Sequence, residues 1–154
     1  MLPRPRRHLT IATGIAAASV ALAGCGSKPA TRASVIARGN AICATANRAL
    51  ANLPAASGSS GTTVDFVKAA PVVSREAKAL RGLPRPATDR ATLDRFIADE
   101  SSLAAGYRRL AALQRSGNDA AVQSGLAALG RIDPGAFARR YGLAQCGAAA
   151  ATVR

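Results

Sequence analysis

The sequence predicts an all-α fold: an antiparallel bundle of four main helices with a short C-terminal helix, closed by one disulfide. Of its 154 residues, 38 are alanine, the strongest helix former and a side chain small enough to let helices pack closely. The larger apolar residues recur at steps of three and four, which indicates amphipathic helices. Val, Ile and Thr are too scattered for strands.

The N-terminal segment has the charge pattern of an export signal. Arg4, Arg6 and Arg7 lie in a basic opening, and an uncharged apolar stretch from Leu9 to Ala23 follows. This stretch is shorter and richer in alanine and glycine than the roughly 20 apolar residues of a membrane-spanning helix. We therefore expect residues 1–24 to be a cleaved signal peptide, with a spanning anchor as the minor alternative.

The four residues Leu22-Ala23-Gly24-Cys25 resemble the lipobox of bacterial lipoproteins. Small side chains beside the cleaved bond suit the peptidase, and the thiol of Cys25 would first receive a diacylglyceryl group. We expect a lipidated flexible tether over residues 25–31, whose acyl chains, palmitate among them, anchor the protein at the extracytoplasmic face of the cell membrane. The alternative is an ordinary secretory signal with a chance cysteine at this position.

Cys43 and Cys146 are the two cysteines that remain beyond Cys25. An even pair in an exported protein indicates a disulfide, here joining the first helix to the C-terminal end of the chain. A metal site has little support, because the chain has no histidine after residue 8 and two lone cysteines are not a zinc ligand set. The two are not in a C-x-x-C arrangement, which disfavours a redox-active pair.

Two helices are predicted in the first half of the bundle domain, which we place at residues 32–146. The first runs from about Arg32 to Leu53, and a loop follows. Thr62 and Asp65 resemble a capping box that opens the second, in which Pro71 should kink the helix or split it in two. The expected inner faces are Val35, Gly39, Ile42, Ala46 and Leu50 in the first helix, and Phe66, Ala70, Val73, Ala77 and Leu80 in the second.

The third helix has the clearest pattern, with Thr88 or Asp89 as its cap and an apolar stripe that continues to Arg115. Glu100 is the acidic residue on this stripe, between Phe96 and Ala104. A buried carboxylate needs a partner. The preferred interpretation is an ion pair with an arginine of a facing helix or a rotation toward solvent, and the alternative is a ligand-contacting acid.

The last part of the domain carries two further helix starts. Asn118 caps a fourth helix with Val122, Leu126, Leu129 and Ile132 on its inner face. Asp133 followed by Pro134 begins a short final helix that ends at Gly142. We expect Cys146 in a short extended segment and residues 147–154 as a frayed tail.

Three segments together carry a pattern that is shared with a group of other proteins. They are Ala41–Arg48 (AICATANR), Leu80–Pro86 (LRGLPRP) and Ala138–Cys146 (ARRYGLAQC). The pattern resembles small exported α-helical lipoproteins of actinobacteria with paired cysteines and no assigned function. The resemblance implies the helical fold and the disulfide, and it carries over no catalytic residue. The break at Asp133-Pro134-Gly135 departs from the pattern and leaves the boundary of the final helix open.

The charge of the chain suggests acidic partners. Its formal net charge is +13, of which three positive charges lie in the signal segment. Basic residues are not interleaved with aromatics, so nucleic acid is not expected, and an exported protein would meet anionic lipid, wall polymer or another envelope protein. The simpler interpretation is that the arginines are dispersed over solvated helix faces.

The sequence argues against an enzyme and against a cofactor. Its single histidine, His8, lies in the segment to be removed, and the chain has no nucleophile elbow, P-loop or dinucleotide fingerprint. Asp99 and Glu100 are adjacent on a helix and point in different directions, unlike the facing carboxylates of a glycosidase. The expectation is a membrane-anchored, non-catalytic binding or structural module, with a small solute- or ligand-binding lipoprotein as the alternative.

Overall fold

The computed structural model describes residues 30–54 and 64–149, with the backbone alone over 147–149. The signal segment, Cys25 and Thr62 lie outside this range. Within it the predicted all-α fold is confirmed, with no strand. The four main helices are α1 (Arg32–Ala51), α2 (Phe66–Arg81), α3 (Arg90–Arg115) and α4 (Asp119–Leu129), and two short ones follow, α5 (Pro134–Tyr141) and α6 (Ala144–Ala149).

Local capping signals explain most of the helix starts. The side chains of Asn118 and Asp133 each accept a hydrogen bond from the backbone three residues on, as their positions predict. Asp65, expected as the third residue of a capping box with Thr62, is itself the N-cap of α2 and accepts a hydrogen bond from the Lys68 backbone. Thr31 forms a capping box with Ser34 at the start of α1. Gly142 ends α5 with a positive φ of 101°, a conformation that glycine adopts without steric cost.

Asp89 does not cap α3 in the expected way. It occupies the N-cap position after a 3₁₀ turn over Ala87–Asp89, but its side chain makes no capping hydrogen bond. Its carboxylate instead accepts a hydrogen bond of 2.7 Å from the Tyr141 hydroxyl. The contact joins residues 52 positions apart in sequence, so a distant tyrosine takes the place of the local backbone donor.

Pro71 lies inside α2 without dividing it. The helix continues from Phe66 to Arg81 past the proline, so the helix is not split. Pro71 is exposed. Its ring therefore stands on the solvent side of α2, and the buried face of the helix remains continuous.

The neighbouring helices α2 and α3 form an antiparallel pair. Three contacts show the direction: Arg81 to Ser101, Arg108 to Ser74, and the Phe66 backbone to the Gln114 side chain. Partners further along α3 meet residues earlier in α2. The α4 helix packs on α3, and α1 packs on α2.

Two hydrophobic clusters fill the interior. The first joins α1, the end of α2, the start of α3 and the C-terminal helices, with Val35, Cys43, Leu80, Leu93, Phe96, Ile97, Tyr141 and Leu143 among its members. The second joins the other end of the α2–α3 pair to α4, with Phe66, Ala70, Val73, Ala77, Ala104, Tyr107, Leu110 and Val122. Along α2 and α3, one cluster gives way to the other near the middle of the pair.

The C-terminal segment returns to α1, where the predicted disulfide between Cys43 and Cys146 is present with its Cα atoms 5.0 Å apart. The expected extended segment at Cys146 is wrong, because Ala144–Ala149 is helical. The first residues of the predicted frayed tail therefore continue this helix, and residues 150–154 lie outside the described range. Asn40 of α1 explains the helix: its Oδ1 accepts a hydrogen bond of 3.0 Å from the backbone N–H of Gln145.

Close packing of α1 against the C-terminal segment depends on a residue without a side chain. A Cβ on Gly39 would overlap the Leu143 side chain. Gly39 is buried on the face of α1 predicted to be internal. Its lack of a side chain lets Leu143 reach the α1 backbone beside the disulfide.

Removing the disulfide should destabilise the fold without changing its architecture. A Cys43→Ala/Cys146→Ala double variant is expected to lose about 2–4 kcal/mol of unfolding free energy, because the bond closes a loop of about 100 residues in the unfolded chain. Urea titration followed by far-UV circular dichroism measures the loss. A reductant should lower the stability of the parent protein and leave the double variant unchanged, and equal stability of the two proteins would contradict the prediction.

Candidate functional site

Two acidic side chains are buried where the two hydrophobic clusters meet. Glu76 lies on α2 between Val73 and Leu80, and Glu100 lies on α3 between Ile97 and Ala104. Their exposed fractions are 8% for Glu76 and 4% for Glu100. They are the two charged residues buried in the described part of the chain, so they mark a polar position inside an otherwise apolar interior.

Neither carboxylate has a neutralising partner. The ion pairs of the described residues are Lys68 with Asp65 and Arg85 with Asp94. Glu76 and Glu100 take part in neither of these ion pairs. The ion pair preferred for Glu100 on sequence grounds is therefore absent there, and so is the alternative rotation toward solvent. A buried charge without a partner is costly, and such a group tends to become neutral instead.

The environment raises the pKa of both carboxyls into the neutral range. Desolvation by burial raises the pKa of Glu76 to about 7. Burial raises the pKa of Glu100 to about 8, and the negative charges of Glu76 and Asp99 add to this effect. The same burial and the two carboxylates raise the pKa of the Tyr107 hydroxyl. The pair can therefore exchange a proton with its surroundings near neutral pH.

Glu76 is reached from outside through a groove between α1 and α2, which we call the α1–α2 groove. Its volume is about 440 Å³, within the usual range for small-molecule sites. Small and aliphatic side chains form most of its walls. The lining residues are Ala41, Ile42, Thr45, Ala46 and Ala49 of α1 and Val72, Arg75, Glu76 and Ala79 of α2.

The charged and titratable groups around Glu76 come from α2 and α3. The α1 wall of the groove contributes none, since its lining residues are alanine, isoleucine and threonine. On α2 the neighbour is Arg75, which is exposed and makes no ion pair with Glu76. On α3 the facing groups are Glu100 and Tyr107. Glu76 and Glu100 therefore repel each other when both are ionised, and Arg75 is the cationic side chain of the groove lining.

Sequence reasoning found one member of this pair and missed the other. Glu100 was placed on the buried stripe of its helix, and the structure buries it there. Glu76 was not singled out, although it lies three residues after Val73 and four before Leu80, the spacing of one helix face. That spacing was the signal that could have found it. The facing of the two helices, which brings the carboxylates together, is tertiary information.

The other expected site residues fall in separate places. Cys43 and Cys146 are joined to each other, and Cys25 lies outside the described residues. No cluster of three or more potential metal ligands is found over residues 30–54 and 64–149. Exposed arginines occur on α1, α2, α3 and α5, which agrees with dispersed charge more than with a single basic patch.

Comparison of the chain with protein-family models, with curated proteins and with solved structures found no match. The described helices include none that is both long enough and apolar enough to span a bilayer. The chemistry of the candidate site is that of a mostly apolar groove whose lining includes one buried acidic side chain, Glu76.

The buried carboxyls should make the protein less stable as the pH rises. Their folded-state pKa values lie above the ordinary value of 4.5, so the loss of stability begins as the pH rises above about 4.5, accumulates up to pH 7 to 8, and is complete above that. The unfolding free energy should fall by several kcal/mol from pH 5 to pH 8, since one pKa unit corresponds to about 1.4 kcal/mol. Urea titrations at the two pH values measure this change.

The neutral variants Glu76→Gln and Glu100→Gln should each reduce the pH dependence and stabilise the protein at pH 8. Asp94→Asn, at an exposed position of the same helix, serves as the control and should change the stability much less, because an exposed ion pair such as that of Asp94 with Arg85 contributes little. A parent protein that is equally stable at pH 5 and pH 8 would show that the carboxyls are not held as described.

Proposed function

We propose that the protein is a non-catalytic binding module of the cell envelope, anchored at the extracytoplasmic face of the membrane by lipid on Cys25. The observation that carries the proposal is the Leu22-Ala23-Gly24-Cys25 box after a basic and then apolar segment. The Cys43–Cys146 disulfide supports it, because such bonds persist in oxidising compartments. With that pair closed, Cys25 is the one cysteine left for lipid attachment.

The partners proposed for the module surface are anionic lipid, acidic wall polymer or another envelope protein. The chain carries 21 basic against 8 acidic residues, so it would be attracted to the negatively charged surfaces of the envelope. Because the exposed arginines are spread over several helices, this attraction is of low specificity and would hold the module near the surface.

The α1–α2 groove favours a second candidate function, the binding of a small ligand. The groove has the size of a ligand site, and its lining includes Glu76, a buried acid that forms no ion pair among the described residues. Such a group costs stability, and a carboxyl in a cleft whose pKa is strongly shifted by burial is a candidate for a functional site. The other polar groups of the lining are Thr45 and Arg75. Binding needs no more than this, whereas catalysis would need further groups placed on the reacting atoms.

Lipid anchoring is tested by Cys25→Ser, which removes the thiol that would receive the lipid. We expect the variant to leave the membrane fraction and to lose labelling by a radioactive or clickable fatty acid. Ser27→Ala, two residues further in the same tether, is the matched control and should stay with the membrane. Continued lipid labelling of the Cys25→Ser protein would contradict the assignment.

Ligand binding in the groove is tested by filling it. Thr45→Phe places an aromatic ring in the groove from an exposed position of α1, so the fold should be retained. Native mass spectrometry of the protein purified from cells should show a bound small molecule that this variant lacks. Ala37→Phe, at an exposed α1 position outside the groove, is the control and should keep the molecule. The same bound species in both variants would contradict a site in the groove.

A further inference from the structure

The α1–α2 groove combines two properties that restrict what it can bind. Its walls are formed mostly by alanine, isoleucine and valine, and Glu76 is the acidic residue of its lining. We infer that the groove binds a primary alkylammonium ion, whose charged head contacts Glu76 and whose aliphatic body packs along α1 and α2. This inference rests on the proposed ligand-binding role of the same groove and names its substrate class.

The positive head of the ligand supplies the partner that Glu76 lacks. Glu76 is more than nine-tenths buried and takes part in no ion pair among the described residues. Glu100, on the facing helix, adds a second carboxyl near it. A buried carboxylate favours a neighbouring cation, and an ammonium group can donate up to three hydrogen bonds to such oxygens. An anionic ligand would instead meet repulsion at this end of the groove.

The apolar walls favour one positive charge. A polyamine would place further ammonium groups against Ala41, Ile42 and Val72, where each would lose water without gaining a partner. A divalent metal ion prefers six or more oxygen ligands or a set of three to four protein groups. No cluster of that size is present in the described part of the chain.

The form of the ammonium group follows from the lining as well. Quaternary ammonium ions are bound by aromatic rings that face the charge. None of the residues that line the groove is aromatic. A primary ammonium, which pairs with a carboxylate through N–H donors, fits the side chains present.

Arg75 does not occupy the position proposed for the ligand head. Arg75 is one of the residues of α2 that line the groove, but it is exposed, and it forms no ion pair with the adjacent Glu76. Successive residues of a helix point about 100° apart, so the guanidinium and the buried carboxylate face different directions.

Protons should compete with the ligand for Glu76. Because the pKa of Glu76 is about 7, the carboxyl is neutral at pH 5 and largely charged at pH 8. The ammonium ion stays charged over this range, as a lysine side chain does. Binding should therefore tighten as the pH rises, by up to about tenfold for each pH unit below the pKa.

The probe for the test is n-hexylammonium, with n-hexanol, hexanoate and spermidine as comparisons. The full-length chain is purified from whichever cell fraction holds it, in zwitterionic nanodiscs if it is membrane-bound, and empty nanodiscs are subtracted. Isothermal titration calorimetry at pH 8 should detect binding of hexylammonium to the protein. The three comparison compounds should bind at least about tenfold more weakly. The affinity for hexylammonium should fall at pH 5.

Glu76→Gln should weaken hexylammonium binding by at least about tenfold at pH 8, because it removes a charge-assisted hydrogen bond. The variant is expected to be more stable than the parent, so loss of binding could not be attributed to unfolding. Asp94→Asn, at an exposed α3 position outside the groove lining, is the control and should bind as the parent does.

The outcomes separate the inference from the function on which it rests. Binding of hexanol or hexanoate in preference to hexylammonium would overturn the ligand class and leave the groove as a binding site. Unchanged binding of hexylammonium to Glu76→Gln would overturn the placement of the charged head. Absence of binding for all four compounds would overturn the inference. Whether the groove holds a ligand at all is decided separately by the groove-filling variant Thr45→Phe and its control Ala37→Phe.

Discussion

The antiparallel contact between α2 and α3 supports every other part of this fold. The α1 helix packs on α2, while α4 and α5 pack on α3, so the pair acts as the platform for both hydrophobic clusters. Much of its contact surface is alanine, including Ala69, Ala70, Ala77, Ala104 and Ala111. Small side chains let helix backbones approach closely, but each buries little apolar area. The platform therefore relies on many short contacts and on Phe66, Phe96 and Leu80 for bulk.

A core of this kind gains from the closure of its ends, which the C-terminal segment provides. Besides the disulfide, the Asn40 side chain accepts a hydrogen bond from the backbone N–H of Gln145 and donates one to the Gly142 carbonyl. The Asn47 side chain donates a hydrogen bond to the Gln145 carbonyl. The guanidinium of Arg32 lies 4.5 Å from the Tyr141 ring centroid. The start and the end of the domain thus hold each other through polar contacts that a bundle with a larger core could do without.

The sequence predicted those features that depend on neighbours along the chain. The apolar stripes of α2 and α3, the caps at Asn118 and Asp133, and the stop at Gly142 all follow from residues within one or two turns. The sequence could not predict α6, since the residue that caps it, Asn40, lies 105 positions away. Asp89 failed as a helix cap for the same reason, because Tyr141 supplies its hydrogen bond.

The candidate site shows the same division. Burial of Glu100 followed from its position on an apolar stripe, whereas its lack of an arginine partner did not, because the packing of α2 on α3 places Glu76 near it instead. The groove itself is formed between α1 and α2, whose relative position no local pattern encodes. Periodicity can say that an acid is buried, but only the fold decides which charges surround it.

A chain with so many basic residues could have neutralised two buried carboxylates with arginine, and in this fold it does not. Packing elsewhere in the fold offsets the free energy that the two unpaired acids cost. This cost becomes smaller when a proton or a cation reaches Glu76. Under the proposed ligand class these two events exclude each other, so occupancy of the groove by the ammonium ion would release a proton near neutral pH, and a more acidic surrounding would release the ligand. If the domain is anchored outside the cell as proposed, the groove would then respond to the pH outside the membrane, which the cytoplasm does not buffer.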